Sequence, residues 1–240
     1  MDENASTPSE PSAPWRLKAQ RFWRETLRPL LAIVLVLSAF RSAVADWNDV
    51  PSGSMRPTIL VGDRIVVDRR AYDVRVPFTM VSLWRYDNPH RGDIIVFISP
   101  KDGIRLVKRV VGTPGDRVEL RGFALTINGI AVPYQPATAS PASAAPDGPF
   151  VLLSEALPGH AAHPVRALDP GMRSDSTQIF DVPAGQYFVL GDNRDESFDS
   201  RFWGSVPRDA VLGRALRVAF SLDRERHYVP RLDRFWWPLG

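Results

Sequence analysis

The chain contains no cysteine in its 240 residues, and histidine is almost as scarce. The lack of cysteine excludes disulfide bonds, zinc sites built on thiolates and a cysteine nucleophile. None of the four histidines lies within a recognisable motif, so each is interpreted as a surface side chain: His90, His160, His163 and His227. A catalytic triad built on histidine is therefore disfavoured.

Signatures of nucleic-acid binding are also missing, because the chain carries neither an RNA-binding motif nor a helix-turn-helix pattern. The formal net charge is +3, from 30 basic and 27 acidic residues, and this balance mildly favours an anionic surface such as a membrane face. We expect no nucleic-acid partner, and salt-dependent retention on DNA would be needed to revive that alternative.

A full-length membrane-spanning run is missing as well, but a shorter apolar segment lies near the N-terminus. Residues 29–40 are apolar apart from Ser38, twelve residues against the roughly 20 of a full span. Aromatic and basic residues precede it, as at a cytoplasmic membrane interface. Three interpretations stay open: a membrane anchor extended past Arg41, a removable signal peptide ending at Ala43-Val44-Ala45, and a buried core helix.

No sustained helical period follows residue 46, and short apolar segments, several of them bounded by turn residues, predict β structure. The predicted strands cover residues 64–68, 94–98, 104–111, 118–120, 125–127, 187–190 and 214–220. Asn128-Gly129 is typical of a hairpin turn. Residues 133–149 are rich in Pro, Ala and Ser, and residues 150–181 show no clear pattern, so this part is interpreted as an insert.

The most distinctive stretch is residues 51–58, in which two serines flank a glycine and a proline stands at each side. Glycine permits unusual backbone angles and each proline restricts its own φ, so we expect a stiff loop that presents Ser54 in one pose. A serine becomes a good nucleophile only with a base nearby. By itself the stretch is equally consistent with an ordinary turn.

A base is offered by the strand predicted at residues 104–111. With a period of two, Lys108 shares an otherwise apolar face, while Arg105 and Arg109 point the other way. Burial lowers the pKa of a lysine, and a neutral lysine is a competent general base. A lysine that reaches solvent from the edge of a strand is the simpler interpretation when this strand is considered alone.

A third stretch, residues 191–204, follows a predicted apolar strand and mixes small polar residues with opposite charges. Such a stretch can fold as a loop held by its own side chains, with Arg paired to carboxylate. Its acidic residues lack the spacing of an EF-hand, so no metal site is predicted.

Together these stretches resemble the bacterial type I signal peptidases, membrane-anchored Ser/Lys proteases that remove signal peptides from exported proteins. The resemblance covers the apolar segment and four matches in the right order: PSGSMRPTILVGDRIVVDR (51–69), RGDIIVF (91–97), RLVKRVVGTPGDRV (105–118) and GDNRDESFDSRFWG (191–204). It implies a mostly β fold, with an N-terminal membrane-anchor helix followed by a β-rich catalytic domain that carries an inserted smaller subdomain.

The resemblance also implies roles for individual residues. Ser54 would be the nucleophile and Lys108 the general base, and the Ser52 hydroxyl with the Ser54 N–H would form the oxyanion hole. Ser197 matches the serine that orients the lysine. Four charged residues match positions that brace the site: Asp192, Arg194, Asp199 and Arg201. No cofactor is implied.

The family cuts after Ala-x-Ala, so its subsites admit only small side chains. By position, five apolar residues should line them: Val50, Met55, Ile59, Leu106 and Val107. Position 106 departs from the family, since tyrosine is frequent there. A leucine could alter the small-residue pocket and the shielding of Lys108.

The resemblance further divides the chain into a cytoplasmic, disordered and basic tail (1–28), a transmembrane anchor (29–45), a catalytic β domain (46–130 and 181–240) and an inserted, variable subdomain (131–180). It places the protein in the cytoplasmic membrane as a single-pass protein, with its N-terminus inside and the catalytic domain outside. The expected partners are signal peptides of exported preproteins and the lipid bilayer, with functional proximity to the secretion translocon. Slow self-cleavage after Ala45 is also predicted, and an intact N-terminus after long incubation would contradict it.

Two other functions compete with a general signal peptidase. One is a related Ser/Lys peptidase with a single dedicated substrate, which the range of cleaved preproteins would distinguish. The other is a tethered, non-enzymatic β domain that binds extended peptides, in which Ser54 and Lys108 would be dispensable.

Overall fold

The computed structural model of the chain describes residues 14–43, 45–76, 79, 81–137, 149–169 and 176–239. It begins with helix α1 (Pro14–Phe22), passes through a π-helical turn (Trp23–Leu27) and continues as helix α2 (Arg28–Ala43). The basic stretch assigned to a disordered tail is therefore helical from residue 14 onward, and the earlier residues lie outside the described part.

Helix α2 does not pack into a core. Its apolar side chains between Leu30 and Leu37 are each more than half exposed, so the interpretation as a buried core helix is wrong. Helix α2 has sixteen residues. Within the described residues, no helix combines the length and the hydrophobicity that crossing a membrane requires. The membrane anchor stays a prediction, and Val44 of the predicted cleavage site lies outside the described residues.

The remainder of the described chain is mostly β. In chain order the strands are β1 (Ala45–Asp49), β2 (Asp63–Asp68), β3 (Asp73–Arg75), β4 (Ser82–Arg85), β5 (Ile94–Ile98), β6 (Arg105–Gly112), β7 (Arg117–Arg121), β8 (Ala124–Ile127), β9 (Ile130–Ala131), β10 (Tyr134–Pro136), β11 (Phe150–Glu155), β12 (His163–Leu168), β13 (Thr177–Asp181), β14 (Gln186–Leu190), β15 (Val206–Pro207), β16 (Val211–Asp223), β17 (Val229–Pro230) and β18 (Trp237–Pro238). Short helical turns complete it: Arg194–Glu196, α3 (Ser200–Trp203), Arg208–Ala210 and Leu232–Arg234. Each strand predicted from the sequence is confirmed, with ends that shift by up to three residues.

The largest sheet has nine strands in the order β1-β2-β16-β5-β6-β14-β15, and β17 and β18 also pair with β16. Strand β16 is thirteen residues long and pairs antiparallel with both β2 and β5. Three register shifts interrupt these pairings. Such bulges bend a strand, which lets β16 serve several partners in turn. This order places β6 between β5 and β14.

Smaller sheets carry the rest: β13-β7-β8-β9, β10-β11-β12 and β3-β4. The Asn128-Gly129 turn joins β8 to β9, and both residues have positive φ, 53° and 79°. That geometry matches a type I′ hairpin turn and confirms the turn predicted from the sequence.

The segment predicted as an irregular insert contains regular structure. Strands β10, β11 and β12 form their own sheet, and β13 pairs with β7 in another. Strand β11 is partly exposed along nearly its whole length, so its sequence shows no alternation between apolar and polar residues. Residues 138–148 and 170–175 of this segment lie outside the described part, and the subdomain boundaries stay predictions.

Two apolar clusters lie on opposite faces of the β5–β6 pair. Val96 and Val107 are cross-strand partners and pack in one cluster, while the next pair, Phe97 and Leu106, packs in the other. This alternation agrees with the predicted period of two. Ile104, assigned to the same strand from the sequence, precedes β6 and is exposed.

Candidate active site

A tight loop between β1 and β2 carries Ser54. Hydrogen bonds tie its two ends together, since Val50 N donates to Asp63 O and Gly62 N donates to Val50 O, each over 3.1 Å. Within the loop, Met55 and Ile59 are only 1% and 0% exposed and pack into the apolar cluster below. The buried pair therefore anchors the loop and leaves Ser54 partly exposed at its surface.

Ser54 and Lys108 meet although 54 residues separate them in the chain. Lys108 Nζ donates a hydrogen bond to Ser54 Oγ over 2.5 Å. Lys108 lies on β6, opposite Ile95 of β5, in the interior of the large sheet. Because both the loop and the strand are held by backbone hydrogen bonds, the two reactive atoms are fixed in contact before any substrate arrives.

The charge of Lys108 is disfavoured by its surroundings. The side chain is 2% exposed, and burial lowers its pKa from 10.5 to about 8. Asp199 and Asp192 act at a distance to raise the pKa, and Arg201 lowers it, but burial outweighs them. Lys108 can thus lose its proton near neutral pH, as a general base must.

Gly191 allows the third stretch to approach the dyad. A Cβ on this residue would overlap Ser197 Oγ and Ser54 O, so only glycine fits between them. Ser197 is buried, and its hydroxyl has no hydrogen-bond partner among the described residues. The orienting bond from Ser197 to Lys108, which the resemblance implies, is therefore not formed in this arrangement.

Buried ion pairs lie near Ser54 and Lys108. Arg109 donates to both carboxylate oxygens of Asp192 over 2.9 and 2.8 Å, and also to Gly92 O. Burial alone would raise the pKa of Asp192, but Arg109, with smaller effects of His163 and the Thr58 hydroxyl, holds the pKa below its usual value. The Thr58 hydroxyl also donates to Asp192, which ties the nucleophile loop to the 191–204 stretch.

The other predicted bracing residues are also paired. Arg201 donates to both oxygens of Asp199, over 2.7 and 2.9 Å, and Asp199 in turn accepts from Gly191 N. Arg194 donates to Glu155 of β11 over 2.6 Å. All four predicted bracing residues thus make the ionic contacts expected of a structural role.

One histidine departs from the sequence interpretation. His163 on β12 is buried, and its Nε2 lies 3.3 Å from Oε1 of Glu155. Burial and the nearby Arg109 lower the pKa of His163, and the opposing effect of Glu155 does not restore it. The interpretation as a surface side chain is therefore wrong for His163. Its strand, β12, packs against the buried ion pairs of Glu155 and Asp192.

The comparisons with known proteins show which family the chain belongs to. The chain matches the family model described as "Signal peptidase, peptidase S26" over residues 23–220. This chain belongs to the signal peptidase family, peptidase S26. A signal peptidase I from Pseudomonas aeruginosa is 38% identical over 219 residues, covering 86% of this chain and 75% of that protein.

Two further signal peptidases illustrate the range of similarity. A signal peptidase I from Haemophilus influenzae is 31% identical over 270 residues, covering 88% of this chain and 73% of that protein. The crystal structure of a signal peptidase I from Enterococcus faecalis V583 is 32% identical, covers 53% of this chain and 97% of that chain, and gives a TM-score of 0.32.

The five apolar residues assigned to the subsites of a signal peptidase do not all lie together. Val50, Met55 and Ile59 form one cluster, and Val107 packs against it. Leu106 packs in the cluster on the opposite face of the β5–β6 pair. Since Met55 and Ile59 have almost no exposed surface, in this arrangement they support the loop and offer little surface to a peptide.

Sequence reasoning missed three polar residues that complete the site: Asn193, Arg109 and Glu155. Asn193 is fully buried against the nucleophile loop, while Arg109 and Glu155 are the partners of predicted bracing residues. The period-two analysis placed Arg109 opposite Lys108 but could not show that this side is also buried. Glu155 lies in the segment without a clear pattern, so no sequence signal pointed to it.

Proposed function

We propose that this chain removes signal peptides from exported preproteins as a serine endopeptidase with a Ser54/Lys108 dyad, cutting after Ala-x-Ala. The observation that carries the proposal is the 2.5 Å hydrogen bond between Lys108 Nζ and Ser54 Oγ, with the lysine buried. Membership of the signal peptidase family supports the substrate class. The relatives from Pseudomonas aeruginosa and Haemophilus influenzae are both named signal peptidase I.

In the first half of the reaction, neutral Lys108 Nζ accepts the hydroxyl proton of Ser54. Ser54 Oγ bonds to the scissile carbonyl carbon, and the carbonyl electrons move onto oxygen. When this tetrahedral intermediate collapses, the C–N bond breaks and the leaving nitrogen takes the proton from Lys108. The signal peptide is then held on Ser54 as an ester.

In the second half, Lys108 takes a proton from water, and the resulting hydroxide bonds to the ester carbonyl. Collapse breaks the bond to Ser54 Oγ, which recovers the proton from Lys108. A lysine with a pKa of about 8 is neutral in about a tenth of molecules at pH 7, so the base is available under ordinary conditions.

The oxyanion hole is assigned to the Ser54 N–H and the Ser52 hydroxyl. Within the described part of the chain, no backbone acceptor takes the Ser54 N–H, and Ser52 is exposed at the loop surface. Both donors are therefore open to a substrate. Losing one such donor typically lowers the rate by about 10²–10³.

The exposed apolar surface of α2 supports attachment to a membrane. Helix α2 ends at Ala43 and strand β1 begins at Ala45, and Ser54 follows nine residues after Ala45. In our proposal the active site lies close to the outer surface of the cytoplasmic membrane. There it meets cleavage sites that emerge near the translocon. Flotation of the full chain with lipid vesicles tests this attachment, and a chain that stays in the aqueous fraction contradicts it.

The catalytic proposal is tested by cleavage of a preprotein in detergent between pH 6 and 10. We expect the wild type to cut after Ala-x-Ala, with kcat/KM falling below about pH 8 as Lys108 gains a proton. Ser54→Ala and Lys108→Ala should be folded and inactive. Lys101→Ala, which changes an exposed lysine, is the matched control and should keep full activity. Near-normal activity of Lys108→Ala would mean that the base is elsewhere.

A further inference from the structure

Asn193 grips the nucleophile loop with both its backbone and its side chain. Its N–H donates to Ser54 O over 3.1 Å, and its Nδ2 donates to Gly53 O over 3.0 Å. The residue is 0% exposed. Two successive carbonyls of the loop, on either side of the Ser54 Cα, are therefore held by one residue.

The grip on Gly53 O determines the direction of the Ser54 N–H. Carbonyl and N–H belong to the same peptide unit, and in a trans peptide they point in opposite directions. Gly53 O faces Asn193 and also accepts from Arg56 N over 3.0 Å. The Ser54 N–H is consequently turned away from Asn193, and no acceptor in the described chain takes it.

The orientation of the Asn193 amide is itself controlled from β12. Arg166 Nη1 lies 3.4 Å from Asn193 Oδ1 and donates to Glu196 Oε2 over 2.7 Å. Glu196 Oε2 also accepts from Asn193 Nδ2 over 2.8 Å. A cation on the amide oxygen and a carboxylate on the amide nitrogen both favour the same orientation of the amide, with Nδ2 facing Gly53 O.

Arg166 is held in place by contacts of its own. Its guanidinium lies over the ring of Phe150, 3.6 Å from the centroid, and its backbone N–H donates to Asp192 O over 2.8 Å. The hydrogen bond from Asn193, and then that from Arg166, lower the pKa of Glu196, so its carboxylate remains ionised and accepting near neutral pH. The chain of contacts thus runs from the sheet β10-β11-β12 to the peptide that carries the Ser54 N–H.

We infer that Asn193 is a positioning residue that aims the Ser54 N–H at the oxyanion, and that Arg166, through Glu196 and the Asn193 amide, sets this aim from strand β12. The inference rests on the proposed function, because it assumes that Ser54 is the nucleophile. It gives the segment predicted as an insert a part in catalysis. Neither Asn193 nor Arg166 needs to touch the substrate.

The test measures kcat and KM separately for preprotein cleavage in detergent, together with thermal unfolding of each variant. Asn193→Ala removes the side-chain donor but keeps the backbone bond to Ser54 O. Asn193→Asp places a carboxylate against Gly53 O and should be the more harmful of the two. Arg166→Met leaves the amide in place without its cation. Arg117→Met, in an exposed ion pair with Asp181, is the matched control.

We expect Asn193→Ala to lower kcat by about tenfold or more, with KM within about threefold, because the oxyanion forms only in the transition state. The acidic limb of its pH profile should stay at the wild-type position, since Lys108 is untouched. Arg166→Met should lower kcat by a smaller factor, and Arg117→Met should match the wild type. A purely volumetric role of Asn193 would instead make Asp, the closer fit in size, less harmful than Ala.

The outcomes separate this inference from the proposed function. If Ser54→Ala is inactive while both Asn193 variants keep the wild-type kcat, the positioning role is wrong and the dyad stands. If Asn193→Ala loses activity only in step with its thermal stability, the role is structural and the inference also fails. If Ser54→Ala retains activity, the proposed function and the inference fall together.

Discussion

Lys108 and Arg109 follow each other on β6 and are buried to the same degree, at 2% and 1% exposure, but their surroundings treat the two charges differently. Arg109 points into the ion-pair network and meets Asp192 through two hydrogen bonds. Lys108 points to the loop, and among the described residues the one hydrogen-bond partner of its side chain is the hydroxyl of Ser54. Burial therefore does not distinguish the Ser54–Lys108 pair from the ion pair of Arg109 with Asp192.

The difference lies in how far each buried charge is compensated. A buried cation with a bidentate carboxylate keeps its charge and holds two segments together, whereas a buried cation without a contacting carboxylate is driven to lose its proton. The network thus supports the fold, and in our proposal Lys108 acts as a base because it has no directly contacting carboxylate among the described residues. Four substitutions test this comparison.

The largest effect on stability is expected from Arg109→Met, which leaves Asp192 as an unpaired buried carboxylate. Breaking a buried pair in this way typically costs about 3–5 kcal/mol of unfolding free energy. Urea unfolding at pH 7 measures it. The control is Arg117→Met, whose ion pair with Asp181 is 52% and 75% exposed and should contribute less than about 1 kcal/mol. Equal losses from the two variants would contradict the comparison.

Lys108→Met should act in the opposite direction, abolishing activity and raising stability. Lowering the pKa of Lys108 from 10.5 to about 8 corresponds to a folded-state penalty of roughly 3 kcal/mol below pH 8. The penalty is relieved as pH rises from about 8 to 10.5, because the unfolded chain there binds the proton that the folded chain has lost. The variant should therefore be more stable than the wild type at pH 7, and the gap should narrow by pH 10. A constant gap across this range would show that Lys108 is not perturbed.

Gly191→Ala should damage both regions, because its Cβ would overlap Ser54 O on one side and Ser197 Oγ on the other. Overpacking of this kind typically costs about 1–3 kcal/mol, and displacement of Ser54 should lower kcat/KM by about 10² or more. Gly115→Ala is the control, because it introduces backbone strain without steric overlap. Gly115 has a positive φ, and no atom lies within 4 Å of the added Cβ. Activity of Gly191→Ala equal to that of Gly115→Ala would refute the close approach.

The smallest effect is expected from His163→Gln, at the edge of the network. The folded state resists protonation of His163, because burial and Arg109 lower its pKa. The unfolded chain gains a proton below about pH 6.5 that the folded chain does not, so wild-type stability should fall between pH 7 and pH 5. Glutamine does not titrate, and the variant should lose less stability over that interval. Unfolding in urea at the two pH values measures the difference, and parallel losses would exclude His163 as a cause.

Much of the fold followed from patterns that neighbours in the sequence create. Unbroken apolar runs identified β5 and β14, alternation identified the two faces of β6, and Asn128-Gly129 identified the hairpin turn, because all of these are local properties of the sequence. No strand was predicted within residues 150–181, since β11 is partly exposed along nearly its whole length and carries no alternation. A strand without a fully buried face leaves no alternation of apolar and polar residues in the sequence.

For the candidate site, the resemblance supplied Ser54 and Lys108, and the residues themselves indicated a stiff loop and a lysine on an apolar face. Three features had no sequence signal: the ion pair of Asp192 with Arg109, the ion pair of Arg194 with Glu155, and the buried position of His163. The two ion pairs join residues 83 and 39 positions apart in the chain, and the contact of His163 with Glu155 joins the neighbouring strands β11 and β12. Such contacts cannot be predicted from positions in the sequence, because they depend on which strands are neighbours in the folded protein.

By itself, the sequence of this signal peptidase determined many of the strands, the position of a hairpin turn, and the residues that are able to react. Only the tertiary structure decided how the buried charges are matched, because that depends on β6 lying between β5 and β14 and on β12 packing beside residues 192–196. The same placement brings Asn193 against the Ser54 loop. Electrostatic energy depends on distance and on exclusion of water, and both are properties of the assembled fold.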